Sequence, residues 1–270
     1  MRTLFPCPIA ALGIKHAAVA LSLAAMTAGA TAANLPQFTF DPTAVGLAGA
    51  AFMADNLLIS NYSTVTLGTG NSFTETGYLA ITSAQLAGST FLPAGLGGSY
   101  GMYIAFTGSG TTSGGDPASV PTFGTLSSLS YTLYGYNGSA AFGFSGTTPI
   151  ESASGEVALA AGTLMNGTVV TIPSGDGLTF SPSASVKASV SPLMAAFFVA
   201  PTPFYDLAMT AFSNTTSQVE TFDGGFLIRQ GGGSINFASA VPEPSGSVLL
   251  LAGMGAVGFM VRRRRPDSSR

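Results

Sequence analysis

The chain has 270 residues, nine Lys and Arg against twelve Asp and Glu, one cysteine, one histidine and no tryptophan. Most of the basic residues sit at the two ends, so residues 34–240 hold only Lys187 and Arg229 against ten acids, a net of −8 behind an overall formal charge of −3. That acidic surface repels phosphate backbones and excludes nucleic acid as a partner. Cys7 and His16 both lie in the N-terminal leader, so the rest of the chain has no disulfide, thiol nucleophile or histidine-ligated metal.

The first element is a secretory signal peptide over residues 1–33. Arg2 and Lys15 form its positive region, Ala17 to Met26 its apolar stretch, and Ala28-Gly29-Ala30-Thr31-Ala32-Ala33 its small-residue cleavage region. Cleavage after Ala30, Ala32 or Ala33 fits this pattern. No twin arginine is present, which favours the Sec translocon. Cys7 precedes the apolar stretch and so is not a lipoprotein anchor.

Residues 34–240 read as one all-β extracellular domain, a single antiparallel β-sandwich or jelly roll. The low charge is offset by Gly, Ser, Thr and Asn, with Phe and Tyr spaced throughout, which is not the composition of a disordered segment. A short helix is expected within Asp41 to Leu58. Tyr100, Met102, Ile104 and Phe106 alternate with Gly101, Tyr103, Ala105 and Thr107, and so define a two-faced strand. The Gly/Ser/Thr/Pro stretch from Thr107 to Pro121 reads as a loop. Leu129, Tyr131 and Leu133 share one side of a second strand.

Four pairs, Asn137-Gly138, Asn166-Gly167, Asp176-Gly177 and Asp223-Gly224, match type I′ hairpin turns. The first would join Tyr131–Tyr136 to Ser139–Phe144. Leu193 to Ala200 is apolar throughout and fits either a buried strand or a helical turn.

The search for chemistry leaves carboxylates alone. Gly97-Gly98-Ser99-Tyr100-Gly101 matches the nucleophile-elbow string, but it lacks a histidine base and leads into a strand. Glu151 with Glu156, or Glu220 with Asp223, are the pairs close enough in sequence to act on a glycosidic bond. Acids at strand ends and turns are more often solvated, so no catalytic residue is assigned and the chain is expected not to be an enzyme. No cofactor is expected either. Asp41, Asp55, Asp116 and Asp176, with loop carbonyls, leave a structural Ca²⁺ open.

Residues 241–270 form the last element. Val241-Pro242-Glu243-Pro244-Ser245 precedes the charge-free stretch 246–261, followed by Arg262, Arg263, Arg264 and Arg265. The two prolines hold the chain extended and present Glu243 on a rigid spacer. Sixteen residues from Gly246 to Val261 rise about 24 Å as a helix, slightly short of the ~30 Å hydrocarbon core, a gap that snorkelling arginines close. The arginines stay cytoplasmic and the large domain outside. A plain C-terminal anchor has the same order of parts.

Val241 to Arg265 resembles the PEP-CTERM sorting signal of Gram-negative bacteria. The resemblance implies an exosortase, a membrane-embedded enzyme that cuts near Pro-Glu-Pro, as partner, with only transient residence in the inner membrane. Phe38-Thr39-Phe40-Asp41-Pro42, Ala54-Asp55-Asn56, Asn61-Tyr62-Ser63, Phe73-Thr74-Glu75-Thr76-Gly77-Tyr78, Tyr103-Ile104-Ala105-Phe106-Thr107-Gly108 and Leu133-Tyr134-Gly135-Tyr136 together resemble the flocculation-associated PEP-CTERM proteins. That second resemblance implies a secreted, non-enzymatic protein that associates with extracellular polysaccharide in flocs or biofilm. Two other readings remain from the residues themselves: an exported carbohydrate-active enzyme using Asp or Glu, and a membrane-anchored periplasmic carbohydrate-binding module.

Overall fold

A computed structural model describes residues 35–239. The signal peptide with Ala30, Ala32 and Ala33, and the sorting segment with Val241–Pro244, the 246–261 stretch and Arg262–Arg265, lie outside the described residues. Strands dominate the rest, in chain order β1 (Phe38–Phe40), β2 (Phe52–Ala54), β3 (Asn56–Leu67), β4 (Ser72–Leu86), β5 (Ser89–Phe91), β6 (Tyr100–Thr112), β7 (Thr122–Asn137) and β8 (Phe142–Ser145). They continue with β9 (Thr148–Glu151), β10 (Val157–Pro173), β11 (Phe180–Ser189), β12 (Ser191–Pro192), β13 (Phe198–Ala200), β14 (Leu207–Ser213), β15 (Val219–Phe222) and β16 (Gly225–Ala238).

The all-β expectation holds, and the pairings define its architecture. β3, β4, β6, β7, β10, β11, β14 and β16 each pair antiparallel with the next, and β16 pairs back with β3. The sheet is therefore a closed eight-stranded antiparallel meander, a barrel within the all-β, sandwich-like class expected, without the crossed connections of a jelly roll. Closure removes the exposed edges that an open sheet of this length would have to protect. It depends on register between residues 225–235 and 57–66, which local alternation does not encode.

The alternation read in β6 is the observed one. Tyr100, Met102 and Ile104 are buried in the main core with Leu133 of β7, and Tyr131 packs against it. Tyr103 and Thr107 point away from the lumen, Thr107 exposed and Tyr103 buried beneath Tyr134 and Phe142. One rim is plugged by the small sheet β13-β1-β2, whose phenylalanines enter the lumen. Phe40 is fully buried, with its ring 4.6 Å from Phe197 and 5.3 Å from Phe198; truncating such a side chain costs about 3–5 kcal/mol. A second apolar cluster, Val65, Phe73, Phe180, Phe226 and Ile228, lies toward the opposite rim.

The turn expectations divide. Asp176-Gly177 does sit in the β10–β11 connection and Asp223-Gly224 does join β15 to β16. Only the glycine of each pair has positive φ, however, so neither is type I′. Asn137-Gly138 starts no hairpin with 139–144. The Asn137 side chain instead bonds back to Gly46 and Ala48, and Phe142–Ser145 pairs with Thr148–Glu151. Asn166-Gly167 lies inside β10, beside a bulge opposite Lys187. Both central residues have positive φ instead at Gly70-Asn71 between β3 and β4 and at Ala87-Gly88 between β4 and β5, where Asp55 Oδ2 accepts from the Ala87 N–H.

Two segments shorten or resolve. Thr107–Thr112 belongs to β6, so the expected loop is confined to 113–121. The helix expected within 41–58 is a single 3₁₀ turn, Pro42–Val45, capped by Asp41, because Gly46 and Gly49 stop it. Leu193–Ala200 contains both alternatives, a 3₁₀ turn at Ala195–Phe197 and then β13. No helix among the described residues is long and apolar enough to cross a membrane.

Candidate functional site

The side of the barrel wall away from the lumen carries a row of tyrosines built by register, of which Tyr62, Tyr78 and Tyr134 are half-buried and Tyr103 and Tyr136 are buried beneath their neighbours. Tyr62 of β3 is paired with Tyr78 of β4, Tyr103 of β6 with Tyr134 of β7, and Tyr136 lies opposite Gly101. Tyr103 and Tyr134 stack with centroids 5.3 Å apart, and Tyr78 meets Tyr103 edge-on at 5.8 Å, the arrangements that aromatic quadrupoles favour. A Cβ on Gly101 would come within 2.2 Å of the Tyr136 hydroxyl, so glycine there lets that ring lie across β6.

The β8–β9 hairpin folds over one end of this row. Phe142 stacks on Tyr62 at 5.9 Å and meets Tyr103 at 5.5 Å. Thr64 Oγ1 donates to the Thr147 carbonyl, and the Arg229 guanidinium covers Phe144 at 4.7 Å. The hairpin turn at Gly146, with φ of 60°, makes that fold-back.

Beside the hairpin lies a groove of about 390 Å³. Gly77 and Ala105 form its floor, and Thr76, Thr107, Ser130 and Thr132 supply hydroxyls, with Tyr78 and Thr148-Pro149 at its sides. Small floor residues and flanking hydroxyls offer an extended ligand both contact area and hydrogen bonds.

Glu151 and Glu156, far apart from the row in sequence, are brought to it. Burial pushes the Tyr103 hydroxyl pKa up, and the negative charges of Glu151 and Glu156 push it further the same way. Burial and then Glu151 also raise Tyr78 and Tyr136. Tyr103 Oη donates to Glu156 Oε1 at 3.4 Å, while Glu151 accepts from the Ala153 N–H. The tyrosines therefore remain neutral hydroxyls that donate and accept.

The other acids have local partners. Glu220 is engaged with Arg229 Nε at 2.6 Å, in an exposed pair, and Asp223 sits in the β15–β16 turn. Asp41 caps the 3₁₀ turn, Asp55 holds Ala87, Asp116 accepts from Ala118 N and Ser119 Oγ, and Asp176 from Leu178 and Thr179. Those hydrogen bonds hold the Asp116 and Asp176 carboxyls below the usual range. The four aspartates considered for Ca²⁺ thus serve separate turns, and among the described residues no group of three His, Cys, Asp or Glu is placed to hold an ion. Ser99 of the elbow-like string lies exposed in the turn before β6.

Sequence reading missed the tyrosine row, because its members are scattered over four strands. The Tyr134/Tyr136 alternation was the only local sign of it.

Comparison with protein-family models matches residues 240–265 to the PEP-CTERM protein-sorting motif. The matched span contains Val241–Pro244 and Arg262–Arg265. Neither a curated protein nor a solved structure matches the chain. The chain carries a PEP-CTERM sorting signal, which implies an exosortase as processing partner and export by way of a membrane-anchored stage to the surface.

Proposed function

We propose that this protein is a non-catalytic matrix protein that, once exported through the Sec translocon and sorted by exosortase, associates with extracellular polysaccharide and holds cells in flocs or biofilm. The observation that carries this reading is the tyrosine row with its threonine-lined groove on the barrel exterior. The partly exposed rings of Tyr78 and Tyr134 can stack on sugar rings and the groove hydroxyls exchange hydrogen bonds with sugar hydroxyls, without a charge requirement.

The placement of the chain ends supports the same reading. β16 finishes at Ala238, opposite Leu207, on the rim that the plug occupies, and the sorting motif begins at residue 240. Cleavage near Pro242–Pro244 would leave the barrel and its tyrosine row intact.

The test is deletion of the gene and complementation with wild type or with a Tyr78→Ala/Tyr134→Ala double variant. Loss of flocs with normal polysaccharide secretion, restored by wild type and not by the double variant, supports the proposal. Release of reducing sugar ends that depends on Glu151 or Glu156 would replace it with an enzymatic role.

A further inference from the structure

The barrel lumen is packed at both ends and open between them. Toward the plug, inward positions carry Leu57, Leu79, Ile104 and Phe237; toward the other rim they carry Val65, Phe73, Phe180 and Phe226. In the middle layer they are small or polar: Asn61, Glu75, Ala184 and Thr210. The result is a cavity of about 270 Å³. Phe106, Ala184 and Phe212 point inward yet are only half-buried, because their free surface faces this space.

The polar atoms left without a partner beside the middle layer are acceptors. Ser63 Oγ donates to Glu75 Oε1 at 2.7 Å, and Asn61 also bonds to that carboxyl. Asn61 Oδ1 and Asn214 Oδ1 are buried without a hydrogen-bond partner. Both border Gly231: Asn61 is its register partner on β3, and Asn214 Oδ1 lies 2.0 Å from where a Cβ at 231 would stand. Among the described residues the Lys and Arg side chains are Lys187 and Arg229, and neither lines the cavity. A carboxylate or phosphate head would therefore meet a carboxyl and two carbonyl oxygens with no cation to offset it.

We infer that the lumen is a binding site for one small, mainly apolar molecule bearing a hydrogen-bond-donating head, an alcohol or an amine. The head meets Asn61 Oδ1 and Glu75, and the tail lies along Ile104, Phe106, Val186 and Phe212. Eight-stranded barrels have room for side chains or one such ligand, and the volume lies just below the ~300–1,000 Å³ found for drug-sized ligand pockets, which suits a smaller molecule. Gly68 of the β3–β4 connection and Gly114, Gly115 and Pro117 of the β6–β7 connection line the end of the cavity opposite the plug. This site is separate from the outer tyrosine row and does not depend on the polysaccharide reading.

The test uses the full chain held in amphipol, with thermal unfolding followed by far-ultraviolet circular dichroism in 1-octanol, octylamine, octane or sodium octanoate. Octanol, octylamine or both raise Tm by roughly 5 °C near saturation, while octane and octanoate do not. A response to one donor alone identifies which head the site takes. Ala184→Phe and Thr210→Leu, which fill the middle layer, abolish the shift. Glu75→Gln keeps the shape and lowers the octylamine response relative to octanol; it decides the matter if the filled variants fail to fold. The inference is overturned by no shift with either donor, by an equal shift with octane or octanoate, or by a shift retained in both filled variants.

Discussion

Asn137 Nδ2 donates to the Gly46 carbonyl at 3.0 Å, and its Oδ1 accepts from the Ala48 N–H at 2.7 Å. The last residue of β7 thereby fixes the segment after the first 3₁₀ turn to the plugged rim. Asn137→Ala removes both bonds, which are exposed, at a cost of about 0.5–1.5 kcal/mol. Chemical denaturation of the wild type and variant checks this; unchanged stability would mean that water replaces the amide.

Glu75 is the buried acid of the lumen, and desolvation raises its pKa above the ordinary carboxyl value, with the Ser63 and Asn61 hydrogen bonds opposing. The folded state therefore holds the proton more tightly than the unfolded state does. Its contribution to stability is fully present below the unfolded value of about 4.3 and is lost as pH rises through the folded pKa. Glu75→Gln should match or slightly trail wild type at pH 4 and exceed it at pH 7. Thermal melts of both proteins across that range test this through the difference between them, which cancels the opposite titrations of Asp116 and Asp176. A variant less stable at pH 7 than at pH 4, relative to wild type, would contradict the assignment.

Ala87 adopts φ of 50° in the β4–β5 turn, a left-handed conformation that costs an L-residue with a Cβ about 1–2 kcal/mol. Ala87→Gly relieves that strain and adds unfolded-state entropy, for a net gain of about 0.5–1 kcal/mol. Urea titration would show the midpoint rising. A fall would mean that the Asp55–Ala87 hydrogen bond at 2.6 Å depends on the alanine.

Gly77 is a position where a Cβ would come within 2.3 Å of the Tyr62 carbonyl and 2.6 Å of Ser63 Cα. Backbone cannot yield there as a flexible side chain can, so Gly77→Ala should destabilise by about 1–3 kcal/mol. Because Gly77 also floors the outer groove, a cell-surface assay of this variant must be paired with its melting curve.

How far these features were legible depends on whether they are local. The β6 alternation and the Leu129–Leu133 face were readable because the period-2 alternation of side-chain direction is written in neighbouring residues. Asn137-Gly138 and Asn166-Gly167 misled because the same dipeptide serves a strand end with a long-range clamp, or sits beside a bulge, as readily as a turn. Barrel closure through β16 and β3, and the meeting of Tyr62, Tyr78, Tyr103 and Tyr134 on one surface, arise only once strands far apart in sequence are in register. The sorting motif was legible for the opposite reason: its prolines, apolar stretch and arginines are contiguous, and the family match falls on the same residues.

The most direct test of the account is the mass of the protein's C-terminus, measured on material recovered from the extracellular matrix and from the membrane fraction. Sorting predicts extracellular chains that end near Pro242–Pro244 and lack Arg262–Arg265. Extracellular chains that retain Arg270, or a protein found whole and only in the membrane fraction, would contradict it.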